Sequence, residues 1–517
     1  MEKTKLKKSK KIVNSLVRSY LNYRFKRISH FMEHPRQVQH MVRNSLIEQA
    51  AGTQWGQRHG YQSIKNYADF TQRVPIHTYE DIQPYIERMM RGEPDVLWPG
   101  VTTYFAKSSG TTNDKSKYIP VGKDNLDDGH IQGSWDSVVL FYQLRQNAAI
   151  FLFKNIILPG SLSHLEQFPK AKIGDISALM IDNMPALGRA FYEPNTEIAL
   201  LASWEEKIEK AAQLLSKRHD VGMFGGVPTW NLILFRRILE LSGKEHLLEL
   251  WPNLQGYFHG GVGFEPYRQQ FKELIPSDDF SYLEIYNASE GFFAVQNDFQ
   301  QHDMLLLLDN GVFFEFMPLS EYGRPNPIVL PIEDVELDTD YAVIISTNAG
   351  LWRYHLGDTV RFTSLKPYKI IISGRTKQFI NVFGEELMVH NAEKALSETC
   401  QELGATVAEY TVGPRFFTSE EKGGHHWVIE FEKRPDDVEK FAELLDLNLQ
   451  KANSDYEAKR FKGMALERLA LTEVPPNTFF GWMKSRNKIG NQNKVPRLSN
   501  SRDYVNSILK FVENQGS

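Results

Sequence analysis

One cysteine, Cys400, stands in a chain of 517 residues. A lone thiol makes no internal disulfide, and no Cys/His spacing matches a zinc site, so the fold must stand without covalent or metal staples. A reducing, cytoplasmic setting suits such a chain. Long apolar runs are missing as well. No stretch reaches the ~20 apolar residues of a membrane-spanning helix, so stable insertion into a bilayer is not expected. An excess of one charge is also lacking. Lys plus Arg number 60 and Asp plus Glu 64, a formal net charge of -4, which gives the whole chain no leaning toward nucleic acid. Internal repeats and low-complexity tracts are absent. Apolar content of 41% is that of an ordinary globular protein, and the length suggests two to four domains or subdomains.

The charge that is present is unevenly placed. Lys3, Lys5, Lys7, Lys8, Lys10, Lys11, Arg18, Arg24, Lys26 and Arg27 face only Glu2 before Ser29. A secretory signal would follow its charges with a continuous apolar run. Here Ile12, Val13, Leu16, Val17, Tyr20, Leu21 and Phe25 recur at helical spacing instead. The expectation is a frayed basic start leading into a core helix, with a membrane-surface or partner-binding helix as the alternative.

Residues 12–50 read as helical. Turn residues and aromatics punctuate Gly52 to Gly100, where Thr78, followed three residues later by Asp81, suggests a helix start of capping-box type. Thr102 to Phe105 look like a short strand leading into "KSSGTTNDKSK". Helical patterns dominate 124–145 and 203–250, interrupted by the strand-like start and turn of "VGMFGGVPTW". "YLEIYNASEG", "VFFEFMPL", "YAVIISTNAG", "RYHLGDTVRF" and "KIIISGRTKQFINVFGEEL" form a β-rich stretch. After "GEEL" the pattern changes to a helix, two strands and a helix, a compact α+β unit. A boundary near Arg375–Glu385 divides the chain into expected domains 1–380 and 381–517.

Four polar clusters punctuate the strands. Ser108, Ser109, Gly110, Thr111 and Thr112 form a small-residue loop that can wrap phosphates with N–H and hydroxyl donors, with Lys117 at its end. It is not a Walker loop, whose spacing is absent. Tyr286, Asn287, Ala288, Ser289 and Glu290 follow a strand, where α/β proteins place ligands. Glu290 can hold Mg²⁺, and Tyr286 can stack on a base. Asp358, after Arg353-Tyr354-His355-Leu356-Gly357, can accept from a ribose diol. Arg375 opens a Gly374–Gly384 segment suited to a flexible connector and can meet ribose or phosphate. Each cluster alone reads equally as a surface turn, a strand-end loop, a β-turn or a hairpin.

Their order along one chain resembles the adenylate-forming superfamily of acyl-CoA synthetases, adenylation domains and luciferases. Within it the chain is most similar to the Gretchen Hagen family of acyl acid amido synthetases. "VPIHTYEDIQPYIERMMRGEPDVLWPG", "GGVPTW", "VFFEFMP" and "KVPRL" extend that resemblance over about residues 45–505. It implies an α/β adenylate-forming fold, a large N-terminal domain of β-sheet and helices with a small, mobile C-terminal α+β domain. ATP, Mg²⁺, a small carboxylic acid and an amine are the implied ligands. On this resemblance Ser108 to Thr112 form the phosphate loop, and Tyr286 to Glu290 lie beside adenine and the metal. Asp358 holds the ribose with Arg375 nearby, and Lys377 lies at the hinge. Lys494 approaches the reacting phosphate, making Lys494, Lys117 and Glu290 the expected catalytic groups. Phe224 and Trp230, in and beside "GGVPTW", are candidate walls of the acyl pocket, with simple core as the alternative.

Asn113-Asp114, Asn287-Ala288 and His355 depart from the family pattern without removing a residue the chemistry requires. The expected activity is ATP-dependent formation of an acyl-adenylate and transfer of the acyl group to an amine. A thioester-forming ligase, a binding module without turnover and a lipid-surface protein are the rival readings.

Overall fold

The computed structural model describes residues 8–108, 117–261, 264–376, 379–380, 387–415, 423–453, 456–457, 460, 466–486, 495–499 and 501–515. The basic start folds as two helices, α1 (Lys8–Glu33) and α2 (Pro35–Ala50). Pro35 sits in the first turn of α2, where its missing N–H leaves no hydrogen bond unmade. Polar forks hold α1 down. The Arg18 guanidinium donates to the carbonyls of Arg145 and Ala148 at 3.1 and 3.2 Å. Arg24 donates twice to Asp136 at 2.7 Å and to Asp309 at 2.9 and 3.0 Å. Leu21, Ile28 and Phe31 are buried, whereas Ile12, Val13, Leu16 and Tyr20 are exposed. The helix joins the core as expected, with Val17 and Phe25 also packed against it, but its first apolar residues stay in water. The apolar set is split between two faces, and Asn14 and Arg18 make the inward contacts near the start.

The Thr78 capping box forms, with the Asp81 carboxylate accepting from the Thr78 N–H at 2.7 Å. The first strand begins two residues later than expected. It is β1 (Tyr104–Ser108), antiparallel to β2 (Lys117–Val121), with Ser108 opposite Lys117. Strand β1 therefore delivers the chain directly into the hydroxyl-rich segment, and β2 brings Lys117 back beside it.

Among the described residues the largest sheet has twelve strands and is mixed. In one part β3 (Lys154–Ile157), β4 (Val221–Gly226), β5 (Gly256–His259) and β6 (Ser281–Ala288) are parallel. Strand β6 is where the direction rule changes, because its other neighbour, β7 (Gly291–Gln296), is antiparallel. Antiparallel pairing continues through β8 (Met304–Leu306), β12 (Tyr368–Arg375), β11 (Tyr354–Leu365), β10 (Asp340–Thr347) and β9 (Val312–Pro318). Helix α3 (Gln132–Leu144) covers β7, and a Cβ on Gly133 would lie 2.4 Å from the Phe292 ring, so glycine sets this close approach. Residues 124–145 are helical as expected, except that Asn125–Ile131 takes the wider π form.

The C-terminal pattern also folds as read. Helices α4 (Val389–Leu403) and α5 (Val438–Ala452) pack beside a three-stranded sheet of β13 (Thr406–Arg415), β14 (Gly424–Lys433) and β15 (Ala470–Val474). This unit has its own apolar core, which includes Leu396, Tyr410, Trp427 and Phe441.

Arg24 is the testable anchor of α1. Asp136 is fully buried, so Arg24→Ala leaves an uncompensated carboxylate and should lower stability by about 3–5 kcal/mol. Chemical denaturation measures this, and an unchanged midpoint would show that the fork does not hold the helix.

Candidate active site

A cavity of about 2090 Å³ lies at the C-terminal ends of β4, β5 and β6, where Gly226, Gly260 and Tyr286 line it. His390 and Glu393 of α4 line its other side. Ligands of open α/β sheets bind outside the carboxyl ends of the strands where connection order reverses. This cavity opens at such carboxyl ends, beside β6, which is parallel to β5 and antiparallel to β7.

The polar centre is built on cross-strand register. Asp358 on β11 stands opposite Arg375 on β12. Arg375 Nε donates to Asp358 Oδ1 at 2.7 Å, and the Tyr286 hydroxyl donates to Oδ2 at 2.6 Å. Gly357, at φ +93°, makes the left-handed turn that precedes the aspartate. Arg353 also has a positive φ, +41°. Its guanidinium is fixed by Glu315 at 3.0 Å and by the Val74 carbonyl at 2.8 Å. The His77 N–H donates to the Arg353 carbonyl at 2.9 Å, and the His355 N–H donates to the His77 carbonyl at 2.8 Å. Thus "VPIHTYED" braces "RYHLGD", although the two are far apart in sequence.

Glu290 sits beside this centre. Burial, and then the Asp358 charge, push its carboxyl up to about 7, against the opposing pull of Lys117. The Lys117 ammonium lies 5.5 Å from the centre of the Tyr79 ring. Behind the Tyr286–Glu290 loop, burial pushes His130 down to about 4, which keeps it neutral. Its Nδ1 meets Asn287 Oδ1 at 3.1 Å, and its Nε2 has no partner.

The cavity brings together Lys117, Tyr286, Asn287, Ala288, Ser289, Glu290, Asp358, Arg375 and Trp230. The side chain of Ser108, and Ser109, Gly110, Thr111, Thr112, Lys377 and Lys494 altogether, lie outside the described residues. Phe224 is a correction. It is wholly buried and stacks on Tyr257 and Phe271 beneath the sheet, away from the cavity lining. Trp230, in the helix that follows, meets Trp204 at 4.9 Å and reaches the lining. Phe151, Leu158, Met180, Met223 and Phe258 also line the cavity and make up its apolar arm.

Arg497 escaped the sequence reading, although it stands in "KVPRL". It is buried, pairs with Glu409, and donates to the Tyr267 hydroxyl at 2.9 Å. Tyr267 belongs to the turn after β5, so Arg497 joins the C-terminal unit to the large sheet's side of the cavity. Arg236–Glu432 and Lys484–Glu205 span the same junction.

Glu284 was also missed. The two-residue alternation of β6 puts it on the same face as Tyr286, and His259 is its register partner on β5. Burial first, and then Glu393 and Glu265, raise its carboxyl from the ordinary 4.5 to about 7. Folded Glu284 keeps its proton to about pH 7, whereas the unfolded chain releases it near 4.5. The folded state is therefore favoured at low pH and loses that advantage as pH rises between the two values. Glu284→Gln should stabilise the protein at pH 8, by at most about 3 kcal/mol, and change little at pH 4.5. Melting curves at both pH values check this; equal effects at the two would contradict it.

Known proteins match this chain along most of its length. The GH3 family N-terminal domain matches residues 24–157 and 145–280, the GH3 family central domain 305–375, and the GH3 family C-terminal domain 390–503. A jasmonoyl--L-amino acid synthetase, JAR4 of Nicotiana attenuata, is 24% identical over 63% of this chain and 66% of its own length. Indole-3-acetic acid-amido synthetase GH3.8 of Oryza sativa subsp. indica is 23% identical over 89% of this chain and 87% of its own. Among solved structures, GH3.15 acyl acid amido synthetase superposes with a TM-score of 0.77 at 18% identity, covering 96% of each chain. A 2-hydroxyisobutyryl-CoA ligase holding 2-HIB-AMP in its postadenylation state shares the fold at a TM-score of 0.58 and 14% identity, covering 93% of this chain and 92% of that one. With all three domains of the family matched along most of its length, the chain belongs to the GH3 family, the Gretchen Hagen family that its motifs resemble.

Proposed function

We propose that this protein activates an apolar carboxylic acid with ATP and passes the acyl group to the amine of an amino acid, forming an amide. The observation that carries this reading is the meeting of Tyr286, Asp358, Arg375, Glu290 and Lys117 in one cavity whose other arm is apolar. The relatives' names, amido synthetases acting on acids, support it.

A carboxylate is a poor acyl donor, because its leaving group would be oxide. Joining it to the α-phosphate of ATP, with release of pyrophosphate, supplies AMP as the leaving group. The protein's part is positioning and charge compensation rather than covalent attack. Asp358 accepts from the ribose hydroxyls. Its two oxygens offer about four acceptor positions, so Tyr286 and Arg375 leave room for them. Lys117 and Lys494 compensate phosphate charge, and the Ser108–Thr112 loop supplies donors. Glu290 fits Mg²⁺: its buried carboxylate, raised by burial and Asp358, gains from a cation at its oxygens. Among the described residues no group of three or more His, Cys, Asp or Glu could hold a metal alone, which suits an ion that takes its remaining ligands from phosphate and water. When bound, Mg²⁺ supplies charge neutralisation of the triphosphate.

In this reading residues 1–380 bind ATP and the acid, and residues 381–517 form a mobile domain that moves about the Gly374–Gly384 segment to exclude water and admit the amine. The apolar arm takes the acid, with Trp230 on the lining of the same cavity. Cytoplasmic location is part of the same reading and rests on the lone cysteine.

A screen of apolar acids against amino acids and coenzyme A tests the proposal, with pyrophosphate release measured and products identified by mass spectrometry. Acid-dependent release and an amide product are expected. Thioester as the sole product, or no release with any acid, would contradict the reading.

A further inference from the structure

Helix α1 has a face that the fold does not use. At about 100° per residue, Ile12, Leu16, Tyr20 and Tyr23 fall on one stripe. Asn14, Arg18, Leu21 and Ile28 lie on the opposite side and are turned inward. Ile12 is 57% exposed, Leu16 and Tyr20 66%, and Tyr23 70%. A contiguous row of large apolar side chains in water marks an interaction surface rather than ordinary surface scatter.

Cations flank the stripe in sequence. Lys3, Lys5, Lys7, Lys8, Lys10 and Lys11 precede it in sequence, opposed only by Glu2. Lys26 and Arg27, both exposed, follow it, Arg27 with its guanidinium 3.7 Å from the Asp309 carboxylate. Arg18 and Arg24 do not contribute, because carbonyls and buried carboxylates hold them inward. An apolar stripe flanked by cations and ending in tyrosines has the chemistry of a helix lying in the interface of an anionic bilayer. A second copy of the chain is a poorer occupant, since pairing the stripe with itself brings cationic ends together.

The stripe is also continuous with the cavity. The Tyr20 ring meets Trp135 edge-on at 6.3 Å. Trp135, 39% exposed, stacks on Phe151 at 5.6 Å, and both line the cavity. An unbroken apolar path therefore runs from the outer face of α1 to the wall of the apolar arm.

We propose that α1 docks on an anionic lipid bilayer through Ile12, Leu16, Tyr20 and Tyr23, with the flanking lysines and Arg27 meeting the headgroups. Docking sets Trp135, and with it the apolar arm, against the bilayer surface. The proposal rests on the exposed face alone and stands whether or not the chain makes an amide.

Vesicle flotation of the full chain tests it, using phosphatidylcholine vesicles with and without phosphatidylglycerol. The chain should float with the anionic vesicles, much less with phosphatidylcholine alone, and less as salt is raised. The double variant Leu16→Glu, Tyr23→Glu places charge on a face that is already in water, so its melting temperature should match the wild type. Its binding to anionic vesicles should fall by about tenfold or more. Failure of the wild type to float, or equal flotation of the variant, would overturn the proposal. Light scattering on the same samples gives the other occupant its chance. A wild-type dimer that the variant splits, with no lipid binding by either, would assign the stripe to a second copy instead.

Discussion

The Asp358 carboxylate, gripped by the Tyr286 hydroxyl and the Arg375 guanidinium, is the contact on which the site depends. It ties the end of β6, the last parallel strand, to the antiparallel pair β11 and β12. The same bond sets the charge balance. Glu290 is buried nearby, and two bare carboxylates at that depth would repel each other strongly. Arg375 offsets one of them, and the other is raised to about 7. Lys117 pulls the other way on the same carboxyl, so the centre already carries both signs of charge.

The remaining structure serves this placement. His77 pairs with the backbone on both sides of Tyr354 and fixes where β11 begins, while Arg353 is locked on Glu315. Together they leave Asp358 little freedom. On the far side of the cavity, Arg497 and Tyr267 join the C-terminal unit to the turn that carries Glu265. Glu284 shows what this juxtaposition costs. Burial first, and then Glu393 and Glu265 facing it across the junction, make this carboxyl hold its proton at a pH where an exposed glutamate would be ionised.

Much of this was legible in the sequence, because local rules determined it. The Thr78–Asp81 cap, the helix Val389–Leu403 and the alternating strands after Thr406 obey spacing alone. The order of the polar clusters pointed to the family. What could not be read depends on partners distant along the chain. Phe224 and Trp230 flank the same Gly-Gly turn, and only the stacking of Phe224 on Tyr257 decides which of them lines the cavity. Glu284 is hidden in an apolar strand, and the acids that perturb it come from a turn and a helix elsewhere. Helical spacing found α1 but could not divide its apolar residues between an inner and an outer face, since Asn14, Arg18 and Arg24 make much of the inner contact.

The most direct test of the central claim is calorimetric titration of ATP into the full chain and into Asp358→Ala. Hydrogen bonds to a charged acceptor contribute about 1.5–3 kcal/mol each, so the loss of even one ribose contact should weaken ATP binding by about tenfold or more. A folded Asp358→Ala protein that binds ATP as tightly as the wild type would contradict the claim that this carboxylate, and the knot it closes, forms the nucleotide site.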